Sequence, residues 1–515
     1  MTAIALEGTR TRPRHAWLVP AAVVTIVLVV AWWASAPYLV GVFHDDGVYL
    51  LLAKAIASGQ GFHYLQLPGT PAATHYPPLY PLLLALLWRI APAFPENISL
   101  LLGVNVVCLG LAALGLYRLA RRRLGWSEEG AALVALAAML ATPMLTLAGA
   151  LLSEPLFLAA LFPALLLVEE TLERRDVPSA VLSGLAVGAL MLVRTHAVAL
   201  LGAALLWMLV RRDWRRAALL AGAAAVVQLP WMLWTRSAPL VAEPLRGAYG
   251  SYGGWFVEGL RTGGIAMVLQ TVLLNLREFW LLLGDRLLPG LPAPFGMVAL
   301  WLAAILLFAG AVVSARRAPV TLLFVVLYLG IVLVMPYTPW RYAWGVWPLC
   351  VVFAVLGGQM MVERCRAPAA RAAALLVLAL PALAMLLTEG RAYRTREWSR
   401  PGRNAAAQSV HVVEWVRRNT QPGDVVLTEC EEIVTLFTGR HAAPPVAYTA
   451  IEYVRHRTLA EDSALLRTMI DAVPARYLLA ISPQIQAAGR TMTGAPARLR
   501  ELPGVPGAAI FEILR

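Results

Sequence analysis

FHDDGVYLLLAKAIASGQGFHYLQLPGTPAATHYPPLY, residues 43–80, is the stretch around which the rest of the chain is arranged. It directly follows the first long apolar segment, so we expect it to lie at a membrane face. Asp45 and Asp46 stand at its start, a short apolar helix is predicted over 48–57, and an aromatic, proline-rich run at 75–81 ends it. This pattern predicts an acidic pair held at the membrane–water boundary by interfacial helices.

The composition identifies a membrane protein. Of the 515 residues, 59% are hydrophobic and 14% are charged, which leaves too few polar side chains to cover a soluble protein of this size. The formal net charge of +13 is concentrated in short arginine clusters between apolar segments, which indicates membrane topology rather than nucleic-acid binding. The four cysteines show neither a disulfide spacing nor a CxxC metal pattern.

The apolar segments predict a polytopic, mainly α-helical bundle of about 11 spans. The first segment is interpreted as a retained helix, although Ala34-Ser35-Ala36 also resembles a signal-peptide cleavage site. An even number of crossings between neighbouring arginine clusters places every cluster, and the N-terminus, in the cytoplasm. The predicted spans are 16–36, 97–118, 130–150, 154–170, 179–194, 197–211, 216–235, 295–314, 319–336, 342–362 and 371–388.

This topology predicts two domains. Residues 1–388 form the membrane part, and residues 389–515, with charges of both signs and short strand-like runs, form a small soluble α/β domain on the outer side. The membrane part has a first outer loop over 37–96, with interfacial helices, and a second large outer loop over 236–294. Within the second loop, the interrupted apolar run 265–283 predicts an interfacial or re-entrant helix.

Three short turns at the same predicted outer face also carry ionisable residues. They contribute Glu154, then Arg194 with His196, then Arg341 beside Tyr342. The hairpin 179–211 is too short for two full spans, so its apex should lie in a cavity, where ionisable groups are functional candidates. Together with the acidic pair, these turns predict a pocket with a carboxylate base and an arginine clamp for phosphate.

Each of these residues also has a structural explanation. One of the two aspartates would N-cap the helix that follows them, and Glu154 would be a first-turn acid that favours the helix dipole. The arginines and the histidine would be interface anchors within an aromatic belt. The residue types leave both explanations open, and the convergence of separate segments on one face favours the functional one.

The sequence resembles the GT-C superfamily of membrane glycosyltransferases, close to the protein O-mannosyltransferase and aminoarabinose-transferase group (glycosyltransferase family 39-like). Five motifs in order carry this resemblance over roughly the first 360 residues: HDDGVY at 44–49, THYPPLYPLLLAL at 74–86, SEPLF at 153–157, LVRTHAVALL at 192–201 and RYAWGVWP at 341–348. It implies a hexosyl or pentosyl transferase in the inner (plasma) membrane. The implied donor is a polyprenyl-phosphate-linked sugar, and the acceptor is a protein, lipid or glycan at the periplasmic face.

The resemblance also implies roles for the acidic residues and for one arginine. Asp45 corresponds to the base of an inverting transfer, Asp46 to the second acid of its loop motif, and Glu154 to the acid of the next outer turn. Arg341, which precedes Tyr342, corresponds to an arginine associated with the donor phosphate. No cofactor is required by this scheme, although the acids could hold a divalent metal.

Two departures from the family pattern bear on the donor site. The acidic motif is commonly Asp-Glu, where this chain has Asp-Asp, and Tyr76 stands where a lysine often precedes two prolines. The contact of that lysine with the lipid phosphate would then come from His75, Lys54 or Arg194.

The sequence leaves two other classes of function open. A transporter or flippase of a lipid-linked sugar would tend to show repeated halves and polar groups near the midplane, whereas this chain has no visible repeat and gathers its charges at one face. A non-catalytic assembly protein would work through its C-terminal domain. That domain has no recognisable catalytic motif, since Cys430, His411 and His441 are isolated.

Overall fold

The computed structural model describes residues 17–239, 241–287, 293–494 and 498–514. The chain is mainly helical, with one five-stranded sheet near its C-terminal end. The predicted mainly α class with a small C-terminal α/β part is confirmed.

The first half of the chain forms a series of helices whose lengths follow its apolar runs. They are α1 Leu18–Ala34, α2 Asp45–Ala57, α3 Leu79–Ile90, α4 Ile98–Arg123, α5 Glu128–Met139, α6 Thr142–Ala148, α7 Glu154–Arg174, α8 Val177–Met191, α9 Val198–Val210 and α10 Trp214–Ser237. A second series follows: α11 Arg246–Tyr249, α12 Tyr252–Leu287, α13 Ala293–Arg317, α14 Pro319–Val334, α15 Trp340–Ala343, α16 Trp347–Arg364 and α17 Pro368–Thr395.

Each predicted span falls on a helix, except 130–150, which falls on the pair α5 and α6, and 342–362, which begins in α15 and continues in α16. Within the described ranges, six helices are long and apolar enough to cross a membrane: α4, α7, α10, α12, α13 and α17. The number rises to seven if α5 and α6, which are bent by 64°, form one span, and other predicted spans fall on shorter apolar helices. The chain is a multi-pass membrane protein, but the predicted number of about 11 spans is not confirmed.

The arginine clusters gather at one end of the bundle. Arg122, in the last turn of α4, pairs with Glu170 near the end of α7 at 3.2 Å. Arg317, the last residue of α13, donates from Nη1 to the carbonyl of Leu124 at 2.7 Å. Three helices that are distant in sequence therefore end side by side. Asp45 and Asp46 follow the C-terminal end of α1 and lie at the other end of the bundle from these arginines.

The C-terminal part is a mixed sheet with the strand order β2-β1-β3-β5-β4. Strand β1 is parallel to β2 and β3, and β5 is antiparallel to β3 and β4. Its elements are α18 Arg400–Asn419, β1 Val425–Thr428, α19 Glu431–Thr438, β2 His441–Ala443, α20 Leu459–Ala472, β3 Tyr477–Ala480, α21 Pro483–Thr491, β4 Leu499–Val505 and β5 Ala508–Ile513. The division into 1–388 and 389–515 stays a prediction, and α17 continues through residue 388 to Thr395.

The sheet shares one hydrophobic core with the first outer loop. Buried residues of α2 such as Val48 belong to the same cluster as Leu427 of β1 and Leu466 of α20. The backbone joins them too, since the amide of Ala442 in β2 donates to the carbonyl of Gln66 at 2.8 Å. Burial of this apolar surface fixes the loop that carries the acidic pair against the sheet.

Candidate active site

Four charged side chains form an alternating chain across four elements. Arg341 Nη2 lies 2.6 Å from Asp45 Oδ2, and its Nε lies 3.0 Å from Glu154 Oε1. On the other side of Glu154, Arg194 Nη1 lies 2.9 Å from Oε2 and donates its hydrogen bond to Ser153 Oγ, also at 2.9 Å. Two carboxylates and two guanidinium groups thus balance each other, which makes their burial tolerable.

The Asp45–Arg341 half of this chain is more exposed than the Glu154–Arg194 half. The side chains of Glu154 and Arg194 are 1% and 6% exposed, whereas those of Arg341 and Asp45 are 13% and 18% exposed. Asp45 is therefore the carboxylate that a ligand from outside would meet first, and the two arginines lie behind it.

Asp45 is ionised in this arrangement. Burial by itself would raise its pKa, but Arg341, followed by His44, brings the pKa of Asp45 down to about 2. The hydroxyl of Tyr76 also donates to Asp45 Oδ1 at 2.8 Å. The residue in the place of the family lysine therefore positions the acid.

Local structure explains why both acids face Arg341. Asp45 and Glu154 are the first residues of α2 and α7, where a negative charge favours the helix dipole. The N-cap explanation of the aspartates is wrong, because the N-cap of α2 is His44, with φ of 60° and no side-chain cap. The first-turn explanation holds, but by itself it would not bring two helix starts to one guanidinium.

Asp46 points away from Arg341 into the preceding turn. Its carboxylate accepts from the hydroxyl of Tyr38 at 2.8 Å and from the amides of Gly41 and Phe43 at 2.9 Å each. The Tyr38 oxygen in turn accepts from the amide of Leu151 at 2.8 Å. Burial raises the pKa of Asp46, because these hydrogen bonds only partly replace the lost water. We infer that Asp46 shapes the turn rather than taking part in transfer.

This difference between the two aspartates gives a first prediction. Asp46→Asn should lower the free energy of unfolding by about 3 kcal/mol, because the amide loses charge-assisted hydrogen bonds in a site that is 0% exposed. Asp45→Asn should cost much less stability, since the side chain is partly exposed. Thermal unfolding of the two purified variants makes the comparison. Equal melting temperatures would contradict the assignment of Asp46 to the turn.

An aromatic wall completes the inner end of the site. The His196 ring stacks on Tyr342 with 5.3 Å between centroids, and the Arg194 guanidinium lies 5.9 Å from the Tyr342 centroid. The hydroxyl of Tyr328 donates to the carbonyl of Tyr342 at 2.9 Å, which fixes the turn that carries Arg341. The structure therefore brings the apex of the hairpin 179–211 and the third outer turn together, as the sequence predicts.

Two of the predicted donor-binding residues lie outside the charged chain. His75 packs against Tyr76 at 4.8 Å, but its Nδ1 contacts the carbonyl of Gly250, and burial lowers the pKa of His75 to about 4. Lys54 stands in the last turn of α2, nine residues from Asp45, or roughly 13 Å along the helix. Neither residue contacts either arginine of the chain within the described ranges.

Sequence reasoning missed two residues of the site. Tyr49, one helical turn after Asp45, lies with its hydroxyl 3.0 Å from Ser153 Oγ, and its ring meets Tyr76 edge to face at 5.2 Å. The available sequence signals were the i, i+4 spacing of Tyr49 from Asp45 and the position of Ser153 directly before Glu154. Both suggest a neighbouring position, but neither identifies the partner.

A second polar cluster lies next to the site, and it could hold a divalent cation. One ligand atom each from His44, Glu431 and Glu432 lies within 4.8 Å of the others. His44 Nδ1 is 3.1 Å from Glu432 Oε1, and the Tyr249 hydroxyl lies 2.8 Å from an oxygen of each glutamate. Burial, followed by the charge of Glu432, raises the pKa of Glu431. Sequence reasoning missed this cluster because His44 and the two adjacent glutamates come from two distant segments.

The comparisons with known proteins agree with this architecture. The family model described as dolichyl-phosphate-mannose-protein mannosyltransferase matches residues 75–234. By sequence, no curated protein matches the chain. The predicted resemblance to GT-C membrane glycosyltransferases is confirmed by this family match together with the structural likeness that follows.

Among solved structures, ArnT from Cupriavidus metallidurans bound to undecaprenyl phosphate has a TM-score of 0.54 at 13% identity, covering 97% of this chain and 98% of ArnT. Its apo state has a TM-score of 0.51, also at 13% identity, covering 96% and 97%. The Archaeoglobus fulgidus oligosaccharyltransferase tethered to an acceptor peptide has a TM-score of 0.53 at 13% identity, covering 90% of this chain and 69% of that enzyme. At this identity the likeness shows a shared fold.

Proposed function

We propose that this chain is a membrane glycosyltransferase that moves a sugar from a polyprenyl-phosphate-linked donor to an acceptor hydroxyl, with inversion. The chain Asp45–Arg341–Glu154–Arg194 carries the proposal, because it places a partly exposed carboxylate beside the half-buried guanidinium of Arg341 and near the buried one of Arg194. The fold shared with ArnT bound to undecaprenyl phosphate, and with an oligosaccharyltransferase holding an acceptor peptide, supports such a donor and acceptor.

The two arginines suit a donor that carries phosphate. A guanidinium presents several donors in a plane that matches phosphate oxygens, and a low-dielectric site strengthens the interaction. When the donor binds, its phosphate competes with Asp45 for Arg341, while Glu154 keeps Arg341 and Arg194 in place. Loss of the ion pair to Arg341 then makes the Asp45 carboxylate a stronger base.

Transfer follows as a single displacement. The acceptor oxygen attacks the anomeric carbon on the face opposite the phosphate, so that one carbon–oxygen bond forms as the other breaks. The bonding electrons leave on the polyprenyl phosphate, whose charge the arginines stabilise, and the hydroxyl proton passes to Asp45. One displacement inverts the configuration. No acid catalyst is needed because phosphate is a good leaving group.

We also propose the orientation of the chain. The arginine end of the bundle faces the cytoplasm by the positive-inside rule, and the opposite end, with Asp45 and the C-terminal sheet, faces the periplasm across the inner membrane. The acceptor, whether protein, lipid or glycan, would then meet the site from outside.

One experiment distinguishes glycosyl transfer from the alternative function, a flippase of a lipid-linked sugar. The full-length protein is reconstituted in liposomes with a panel of labelled polyprenyl-phosphate sugars and a membrane extract as the source of acceptors. We expect label to move from the lipid to a new product, with stoichiometric release of polyprenyl phosphate. Movement of intact labelled lipid between leaflets, with no product from any donor, would overturn the proposal.

A metal prediction follows from the cluster of His44, Glu431 and Glu432. Two carboxylates share one Tyr249 hydroxyl, whose proton reaches only one of them at a time, so a divalent cation would relieve their repulsion. We propose that such a cation binds there and stabilises the contact of the first outer loop with α19, with no part in the transfer step.

We expect protein purified without chelators to contain about one divalent cation per chain by elemental analysis. EDTA should lower the melting temperature of the wild type but not that of a His44→Ala, Glu432→Gln variant. Equal metal content in the two proteins would contradict the proposed site.

A further inference from the structure

The C-terminal sheet has a crevice at the carboxyl ends of its parallel strands. From β1 the chain passes through α19 to β2 at one edge, and then through α20 back across to β3 on the other side of β1. The chain that leaves β1 therefore runs towards one edge of the sheet, and the chain that leaves β3 runs towards the other edge. Open α/β sheets bind ligands in the crevice outside the strands at such a point.

A cavity of about 390 Å³ occupies this position. It is lined by Glu429 and Cys430 after β1, by Ser482 after β3, by Ser409 of α18 and by the turn 41–42 of the first outer loop. Its volume is within the range of small-molecule sites, about 300–1,000 Å³. Because four separate stretches of the chain form its walls, the cavity exists only in the folded protein.

Ser409 brings a hydroxyl to this cavity. The residue is 5% exposed and lines the cavity from α18. Gln408, the preceding residue of α18, also lines the cavity and adds an amide. A ligand that offers hydrogen-bonding groups of its own can pair with both side chains.

Charge excludes an anionic ligand. In many α/β domains the amides at a helix start after a strand hold a phosphate. Here the Glu429 carboxylate takes that place before α21, accepting from the amides of Ile481 at 2.5 Å and Ser482 at 3.0 Å. A phosphate would be repelled by Glu429, whereas a hydroxyl could donate to its remaining lone pairs.

We propose that this cavity binds an uncharged saccharide unit. Glu429, Gln408 and Ser409 supply acceptors and donors for sugar hydroxyls, and Val42, Ile433 and Ile481 supply apolar wall for the ring carbons. The site is distinct from the Asp45 cluster, so it goes beyond the transfer reaction and does not depend on it. It is coupled to the cluster through Gly41, which lines the cavity and donates its amide to Asp46.

The test uses the full-length protein in lipid nanodiscs, which avoids sugar-based detergents. Methyl glycosides of glucose, galactose, mannose and arabinose are titrated by saturation-transfer NMR, with inorganic phosphate as an anionic competitor. We expect at least one glycoside to bind and phosphate not to compete. Asp45→Asn should bind the same glycoside unchanged, which separates this site from the transferase centre.

Variants then locate the binding. Ser409→Ala should weaken it about fivefold, as expected for the loss of one hydrogen bond. Ser463→Ala, at a half-buried serine of α20 outside the cavity, should not. Ala405→Leu, which adds volume from α18, should weaken binding further. The proposal is overturned if no glycoside binds the wild type, if Ser409→Ala and Ser463→Ala bind alike, or if phosphate displaces the sugar.

Discussion

Asp45→Asn should reduce the turnover number for glycosyl transfer by about 10²- to 10⁴-fold, the usual contribution of a general base. The amide keeps the shape of the carboxylate but cannot take the acceptor proton. Arg341 retains its second partner, because its Nε still contacts Glu154 at 3.0 Å. Donor binding should therefore survive, and the loss should appear in the turnover number more than in the KM for the donor.

The control is Asp213→Asn, which removes the same charge from another Asp–Arg pair. Asp213 contacts Arg216 at the start of α10, among the arginine clusters at the other end of the bundle. Both variants are assayed at equal concentration of folded protein with labelled donor. If Asp45→Asn keeps more than about a tenth of wild-type turnover, Asp45 is not the base.

Gly47→Val should separate the first outer loop from the C-terminal sheet and abolish most transfer. A Cβ at this position of α2 would lie 2.4 Å from Glu432 Cβ, so the backbones of α2 and α19 would have to move apart. Overpacking of this kind costs about 3 kcal/mol. It would also disturb His44, which lies three residues earlier and contacts Glu432.

The matched control is Gly222→Val, within α10, where no atom lies within 4 Å of the added Cβ. Melting temperature, limited proteolysis of the C-terminal part and transfer rate are measured for both variants. We expect Gly47→Val to melt earlier and to release the C-terminal part to protease, while Gly222→Val behaves as the wild type. Equal behaviour of the two would show that the two parts work independently.

Gly47 also illustrates a limit of the sequence. Charges of both signs and short strand-like runs predict a separate small domain after residue 388, because composition reports only that a segment is soluble. The structure adds that this part shares a hydrophobic core with α2. Side chains such as Leu466 form the apolar face of an amphipathic helix, and such a face can pack against any apolar surface. The sequence pattern therefore does not identify the surface that covers it.

The two aspartates show the same limit at the scale of one turn. Residue type makes Asp45 and Asp46 equivalent, and the sequence assigns both to catalysis. In a helix, successive residues point about 100° apart, so Asp45 faces Arg341 while Asp46 faces Gly41 and Phe43. Tertiary packing of α15 against the start of α2 thus decides which carboxylate is available.

The sequence by itself determined the mainly helical class, the position of most of the long apolar helices and the face on which Glu154, Arg194 and Arg341 gather with the acidic pair. These follow from local rules, since lipid demands long apolar helices and charge avoids the membrane interior. Only the tertiary structure decided the order of the ion pairs, the position of Lys54 outside them and the cavity at Ser409. The contact between Asp45 and Arg341, for example, joins residues 296 positions apart and depends on how whole helices pack.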